Sequence, residues 1–228
     1  MINDKRVLAI TLARGGSKRV PKKNMVDICG QPLLKYTIDE VKKSEFIDDY
    51  VVSSDDQEII SFVKSLGIST VLRPTGLAKD TSKSSDAILH VLSIVPGDYD
   101  YIVEVMCTNP LKLACDIDGV IKKLDDLGGD SAVSVCRVWD YHPSRIKFIE
   151  NDTLVDVYPE VPESRRQDLT PPAYIRNGSI YAFRVKTIKE YGSRLGDVTR
   201  PYIMPESRTI NIDEPIDLEL ARIMVKKR

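Results

Sequence analysis

Short β-branched apolar runs alternate with segments of helical period over residues 1–136 of this chain. Val7–Leu12, Tyr50–Ser53, Ser69–Leu72, Tyr101–Met106 and Ala132–Cys136 carry the strand pattern. Pro32–Lys43, Gln57–Leu66, Ser84–Val95 and Asp116–Leu127 carry the helical one. In the second of these, Ile59, Ile60, Val63 and Leu66 form one apolar stripe on an otherwise polar helix. Strand–helix alternation predicts an α/β fold, a mostly parallel sheet with helices on both faces in a Rossmann-like arrangement.

The rhythm breaks between Trp139 and Tyr174. Pro143, Pro159, Pro162, Pro171 and Pro172 punctuate this stretch, and Arg145–Glu150 and Thr153–Val157 read as extended arms. Residues 139–174 are therefore expected to be an inserted subdomain, with 1–138 and 175–228 making the α/β domain. Ser179–Arg184 predicts a returning strand. Pro215–Lys227 predicts a closing helix, started by Asp213 or Glu214 near its N-cap. Trp139, Tyr141, Phe148 and Ile149 lack an obvious partner within a covered sheet, so the insert is expected to make a homodimer.

Composition adds mainly exclusions. A chain of 228 residues, 42% hydrophobic, has room for one α/β domain and a small appendage. With 33 basic against 34 acidic residues, no global field draws it to nucleic acid or to a membrane surface, so any anion site must be local. Apolar runs such as Val7–Ala13 are far shorter than a membrane span, and the N-terminal stretch lacks a signal-peptide pattern. A soluble cytoplasmic protein is expected. Cys29, Cys107, Cys115 and Cys136 form no C-x-x-C pair, and His90 and His142 complete no zinc set, so buried free thiols are expected.

The densest chemistry follows the first strand, where Leu12 to Asn24 holds Arg14, Gly15, Gly16, Ser17, Lys18 and Lys23. In an open α/β sheet, ligands bind beyond the carboxyl ends of the strands. Adjacent glycines let backbone N–H groups close on phosphate oxygens, and the cations can neutralise a triphosphate. The loop matches neither the P-loop nor the dinucleotide fingerprint. By itself it also suits a solvated basic turn.

The pattern L-A-R-G-G-S-K-x-x-P-x-K-N resembles the opening signature of the acylneuraminate cytidylyltransferases, the CMP-sialic acid synthetases and their relatives. Further stretches agree in order: Val51 to Asp55, Leu72 to Thr81, Thr108 to Lys112, Arg166 to Leu169, Asn177 to Tyr181 and Ile210 to Leu218. Together they cover almost the whole chain. The resemblance implies transfer of CMP from CTP to the anomeric hydroxyl of a 2-keto-3-deoxy sugar acid of the nonulosonate type, with release of pyrophosphate and with Mg²⁺ as cofactor.

Position by position, Arg14, Gly15, Gly16, Ser17, Lys18 and Lys23 are similar to triphosphate-binding residues, Asn24 to one near the ribose, and Arg73 and Ser84 to those holding the cytidine. Arg145, Arg166, Gln167 and Asn177 match positions around the carboxylate-bearing sugar acid, some of them lent across a dimer interface. Arg14, Lys23 and Asp213 are the implied catalytic set, with Asp213 as the metal carboxylate; from the residues alone Asp213 equally suits a helix cap. Three departures stand out: Asn211 replaces an aspartate, Met106 a glutamine, and Ile175-Arg176 an arginine-proline pair. A nucleotidyltransferase for a sugar phosphate or with another nucleotide donor, or a catalytically silent nucleotide-binding protein, stays open as an alternative. No side chain suggests itself as general base.

Overall fold

A computed structural model describes residues 1–227. Eleven strands and six α-helices run through these residues. The strands are β1 (Val7–Leu12), β2 (Asp27–Ile28), β3 (Gln31–Pro32), β4 (Asp49–Ser54), β5 (Ser69–Leu72), β6 (Tyr101–Val105), β7 (Ser131–Val138), β8 (Lys147–Glu150), β9 (Thr153–Asp156), β10 (Ala173–Arg184) and β11 (Thr199–Ile203). The helices are α1 (Leu33–Val41), α2 (Gln57–Ser65), α3 (Ser84–Ile94), α4 (Ala114–Leu127), α5 (Val185–Tyr191) and α6 (Pro215–Lys226).

Seven strands make one sheet in the order β11-β7-β10-β6-β1-β4-β5. Every neighbouring pair is parallel except those of β10, which runs antiparallel to both β6 and β7. The mostly parallel sheet read from the sequence is present. Its period of two sends alternate residues of each strand to opposite faces. Val7, Ala9, Val103 and Val105 meet Ile117, Val120, Ile121 and Leu124 of α4 on one side. Leu8, Ile10 and Ile102 meet Ile88 and Val91 of α3 and Ile188 of α5 on the other. Each such aliphatic side chain, wholly buried, contributes about 1.5–3 kcal/mol.

Local signals set the helix ends. Asp56 caps α2, accepting hydrogen bonds from the N–H groups of Glu58 (2.7 Å) and Ile59 (3.4 Å). Helix α4 starts at Ala114, earlier than its apolar period indicates, because Asp116 turns back to accept the Leu113 N–H at 3.0 Å.

The chain goes from β1 outward to β4 and β5, then crosses back to β6 on the other side of β1. This reversal opens a crevice at the carboxyl ends of β1 and β6, the place where open α/β sheets bind ligands. Beyond the sheet's edge β7 and β10 continue as a two-stranded arm, with Ala173 opposite Val138 and Ile175 opposite Cys136. Hairpin β8–β9 lies in the chain between these two strands. Two of the four cysteines, Cys29 and Cys115, are exposed rather than buried, and all four are free thiols.

Candidate active site

A cleft of about 400 Å³ occupies that crevice. The loop after β1 forms one wall with Arg14, Ser17, Lys23 and Asn24; Arg73 and the segment Leu77–Ser84 form another; Glu104, Met106 and Cys107 make the floor; Asn211 and Asp213 close the rim. A second hollow continues from it between Arg14, Ser17, Lys18, Arg19, Lys23, Asp80 and Asp213.

The cations of the loop are each held by a carboxylate. Asp80 takes Arg14 at 2.7 Å and Lys18 at 2.6 Å, and these two hold its carboxyl below the usual carboxylate range. Lys23 meets Asp213 at 3.0 Å and donates to the carbonyl of Ile212 at 2.7 Å. Arg19 meets Glu214 at 2.8 Å. Such pairs between exposed groups are worth about 0–1 kcal/mol and exchange readily for a stronger anion.

Asp213 does not cap α6. Glu214 occupies the N-cap, and Asp217 accepts the N–H groups of Asp213 (3.0 Å) and Glu214 (2.8 Å). The Asp213 carboxylate is thereby left on the rim, bonded to Lys23 and to the Asn211 amide. Among the described residues no group of three or more His, Cys, Asp or Glu side chains could cage an ion. One exposed carboxylate beside a cationic loop suits a magnesium ion whose other ligands are phosphate oxygens and water.

Arg73 is buried, its backbone N–H donating to the Ser54 carbonyl at 2.7 Å, yet its side chain makes no hydrogen bond or ion pair and its Nε has no partner. Burial pulls its pKa below the usual guanidinium range. Ser84 opens α3 beside it. Glu104, wholly buried at the centre of the sheet, was not evident from sequence reasoning. Its signal is a lone charge inside the apolar run Tyr101–Met106. Asp80 was likewise missed, although it stands in the Leu72–Thr81 stretch that carries the resemblance.

Other expected site residues lie elsewhere. Gly15 and Gly16 do not line the cleft: a Cβ on Gly15 would stand 2.5 Å from Asp56 Oδ2, so that glycine permits the loop to pack on the start of α2. Its N–H donates to Asp55 at 3.1 Å. Asn24 reaches the cleft wall, but its amide is committed to the Arg14 carbonyl (2.9 Å) and the Cys107 thiol (2.8 Å), so it braces the loop. Asn177 is buried and bonded to Ser134 Oγ at 2.6 Å, which makes it part of the sheet's interior rather than a cleft residue. Arg145 pairs with Asp140 (3.3 Å) and Glu163 (3.8 Å) on the arm. Arg166 and Gln167 lie in an exposed turn, the Arg166 guanidinium 5.5 Å from the Trp139 ring. None of these three lines the chain's own cleft.

The profile of the cytidylyltransferase family matches residues 8–226. This chain belongs to the cytidylyltransferase family. It is 30% identical over 224 residues to a pseudaminic acid cytidylyltransferase from Campylobacter jejuni, with 96% of each chain covered. It is 31% identical over 231 residues to a CMP-N,N'-diacetyllegionaminic acid synthase from Legionella pneumophila, with 97% of each covered. Among solved structures, a CMP:2-keto-3-deoxy-manno-octonic acid synthetase complexed with CTP shares the fold, with a TM-score of 0.75 at 18% identity over 97% of this chain and 99% of that one. No helix among the described residues is long and apolar enough to cross a membrane.

Proposed function

We propose that this nucleotidyltransferase moves CMP from CTP to the anomeric hydroxyl of a nonulosonic or ulosonic sugar acid, with release of pyrophosphate. The observation that carries this reading is the convergence of Arg14, Lys18 and Lys23 with Asp213 on one cleft, in a member of the cytidylyltransferase family. The relatives from C. jejuni and L. pneumophila are named for pseudaminic and diacetyllegionaminic acid. Both acceptors are of the class expected here.

In this reading the triphosphate displaces Asp80 from Arg14 and Lys18, and Asp213 from Lys23. The freed cations hold the β- and γ-phosphates and steady the charge that develops on the leaving pyrophosphate. Arg73 and Ser84 take the cytidine. Asp213 would hold magnesium, which would supply charge neutralisation to the reacting phosphates. Cys107 is no nucleophile, because burial pushes its thiol pKa up.

The acceptor's carboxylate suits a guanidinium fork. Arg145, Arg166 and Gln167 stand away from the cleft of their own chain, which supports a homodimer in which the arm, residues 139–174, lends them to the neighbouring subunit. Exposed Tyr141, Phe148, Ile149 and Leu154 on that arm supply the apolar surface. Trp139 does not, being half-buried between Arg137, 3.8 Å from its ring, and Glu206.

Pyrophosphate release with a nucleotide panel and a sugar acid tests the donor. CTP should be used at least about tenfold better than ATP, GTP or UTP. Comparable turnover with GTP contradicts the reading.

A further inference from the structure

Two buried atoms of opposite charge character lack partners at the cleft: Arg73 Nε and Glu104 Oε1. The Arg73 guanidinium is bonded to no side chain, while half of the Glu104 carboxylate is spoken for. Arg194 reaches from the loop after α5 to Glu104 Oε2, and its guanidinium is stacked 4.1 Å from the ring of Tyr181, the residue opposite Glu104 on β10. This arrangement fixes the carboxylate on a rigid central strand and leaves one oxygen over. The cations whose charge bears on the Glu104 carboxylate are Arg194 and Arg73. It therefore belongs to the Arg73–Ser84 end of the cleft rather than the phosphate end.

A carboxylate oxygen and a guanidinium N–H lining one cleft without pairing ask for a ligand edge that presents a donor next to an acceptor. Cytosine offers that edge: its 4-amino group donates, and the adjacent N3 and O2 accept. Uracil presents a carbonyl at position 4, which would set acceptor against acceptor in a site closed to water. We infer that Glu104 reads the 4-amino group of the base while Arg73 takes the neighbouring acceptors, so that Glu104 sets the choice of cytosine over uracil. The inference rests on the proposed use of CTP and adds the residue that selects it. Both atoms are buried, so engagement takes a rotation of the two side chains. Their direct pairing with each other is the competing outcome.

The test is calorimetric titration of wild type and Glu104→Gln with CTP, UTP and the pyrimidin-2-one riboside triphosphate, which lacks any 4-substituent, in the absence of sugar acid. Wild type should bind CTP at least about tenfold more tightly than either analogue, as a site that hydrogen-bonds an N–H rejects ligands without it. In Glu104→Gln, whose amide can turn to suit either base, the CTP to UTP ratio should fall to within about threefold. An equal loss for all three nucleotides in a folded Glu104→Gln would overturn the inference and leave Glu104 as the internal partner of Arg73. If that variant fails to melt cooperatively, wild type decides: indifference to the missing 4-amino group overturns the inference, and the tenfold gap supports it. Because no acceptor is present, failed sugar-acid turnover in a separate assay would count against the transfer reading without touching base selection.

Discussion

Arg14 and Asp80 form a 2.7 Å ion pair across the mouth of the cleft, joining the loop after β1 to the segment before α3. Both side chains are partly exposed, so the pair adds little to stability. Arg14→Ala is therefore expected to leave the melting temperature within a few degrees of wild type while lowering kcat/KM by about 10²-fold or more, the usual loss for a contact that strengthens in the transition state. Lys23→Ala should behave alike. Near-normal kinetics in both would return the loop to a solvated turn.

Asp213 governs metal dependence in this account, because Asp217 performs the helix-start function and frees it. Asp213→Asn should abolish magnesium-dependent turnover and leave CTP binding detectable through the cationic loop. Asn211→Asp places a second carboxylate beside it, and should lower the magnesium concentration needed for half-maximal rate. A magnesium titration of the two variants checks both; unchanged dependence in Asp213→Asn would place the metal elsewhere.

The arm offers a separate test. Phe148 and Ile149 are 58% and 76% exposed on hairpin β8–β9, far from the core, so charging them costs the fold little. The double change Phe148→Glu with Ile149→Glu should sediment as a monomer at micromolar concentration and lose most activity. A wild-type monomer that is fully active would end the dimer proposal.

Stability at low pH should turn on Asp125. Burial pushes its carboxyl pKa up, but hydrogen bonds from Lys5, Tyr101 (2.8 Å) and Asn3 (2.6 Å) outweigh this and leave it below the usual value. A depressed carboxylate contributes stability that is present above its unfolded pKa of about 3.9 and lost as pH falls through the folded value. Asp125→Asn should thus cost about 1–3 kcal/mol at pH 7, by denaturant melts, with the gap to wild type closing below about pH 4.

Much of the fold was legible because the sheet is covered on both faces and its strands are continuous apolar runs, as in Val7–Leu12 and Tyr101–Val105. Thr199–Ile203 was not, since Pro201 argues against a strand; it is tolerated because β11 lies at the sheet's edge and pairs with β7 alone. Strand β10 was seen only from Ser179 because its pairing with β7 shifts register between Arg176 and Tyr181, which breaks the alternation. In the site, the loop cations could be read from local charge density. The roles of Asn24, Asn177 and Glu104 could not, because each is set by residues far away in sequence: Cys107, Ser134 and Arg194.

The central claim is a bond between CMP and a sugar acid, and phosphorus NMR of a mixture of protein, CTP, magnesium and a nonulosonic acid reads it directly. The account predicts that the three CTP resonances give way to a single phosphodiester signal and free pyrophosphate, only when the sugar acid is present. Persistence of CTP with every nonulosonic and ulosonic acid tried, under conditions where CTP binding is saturated, would contradict it.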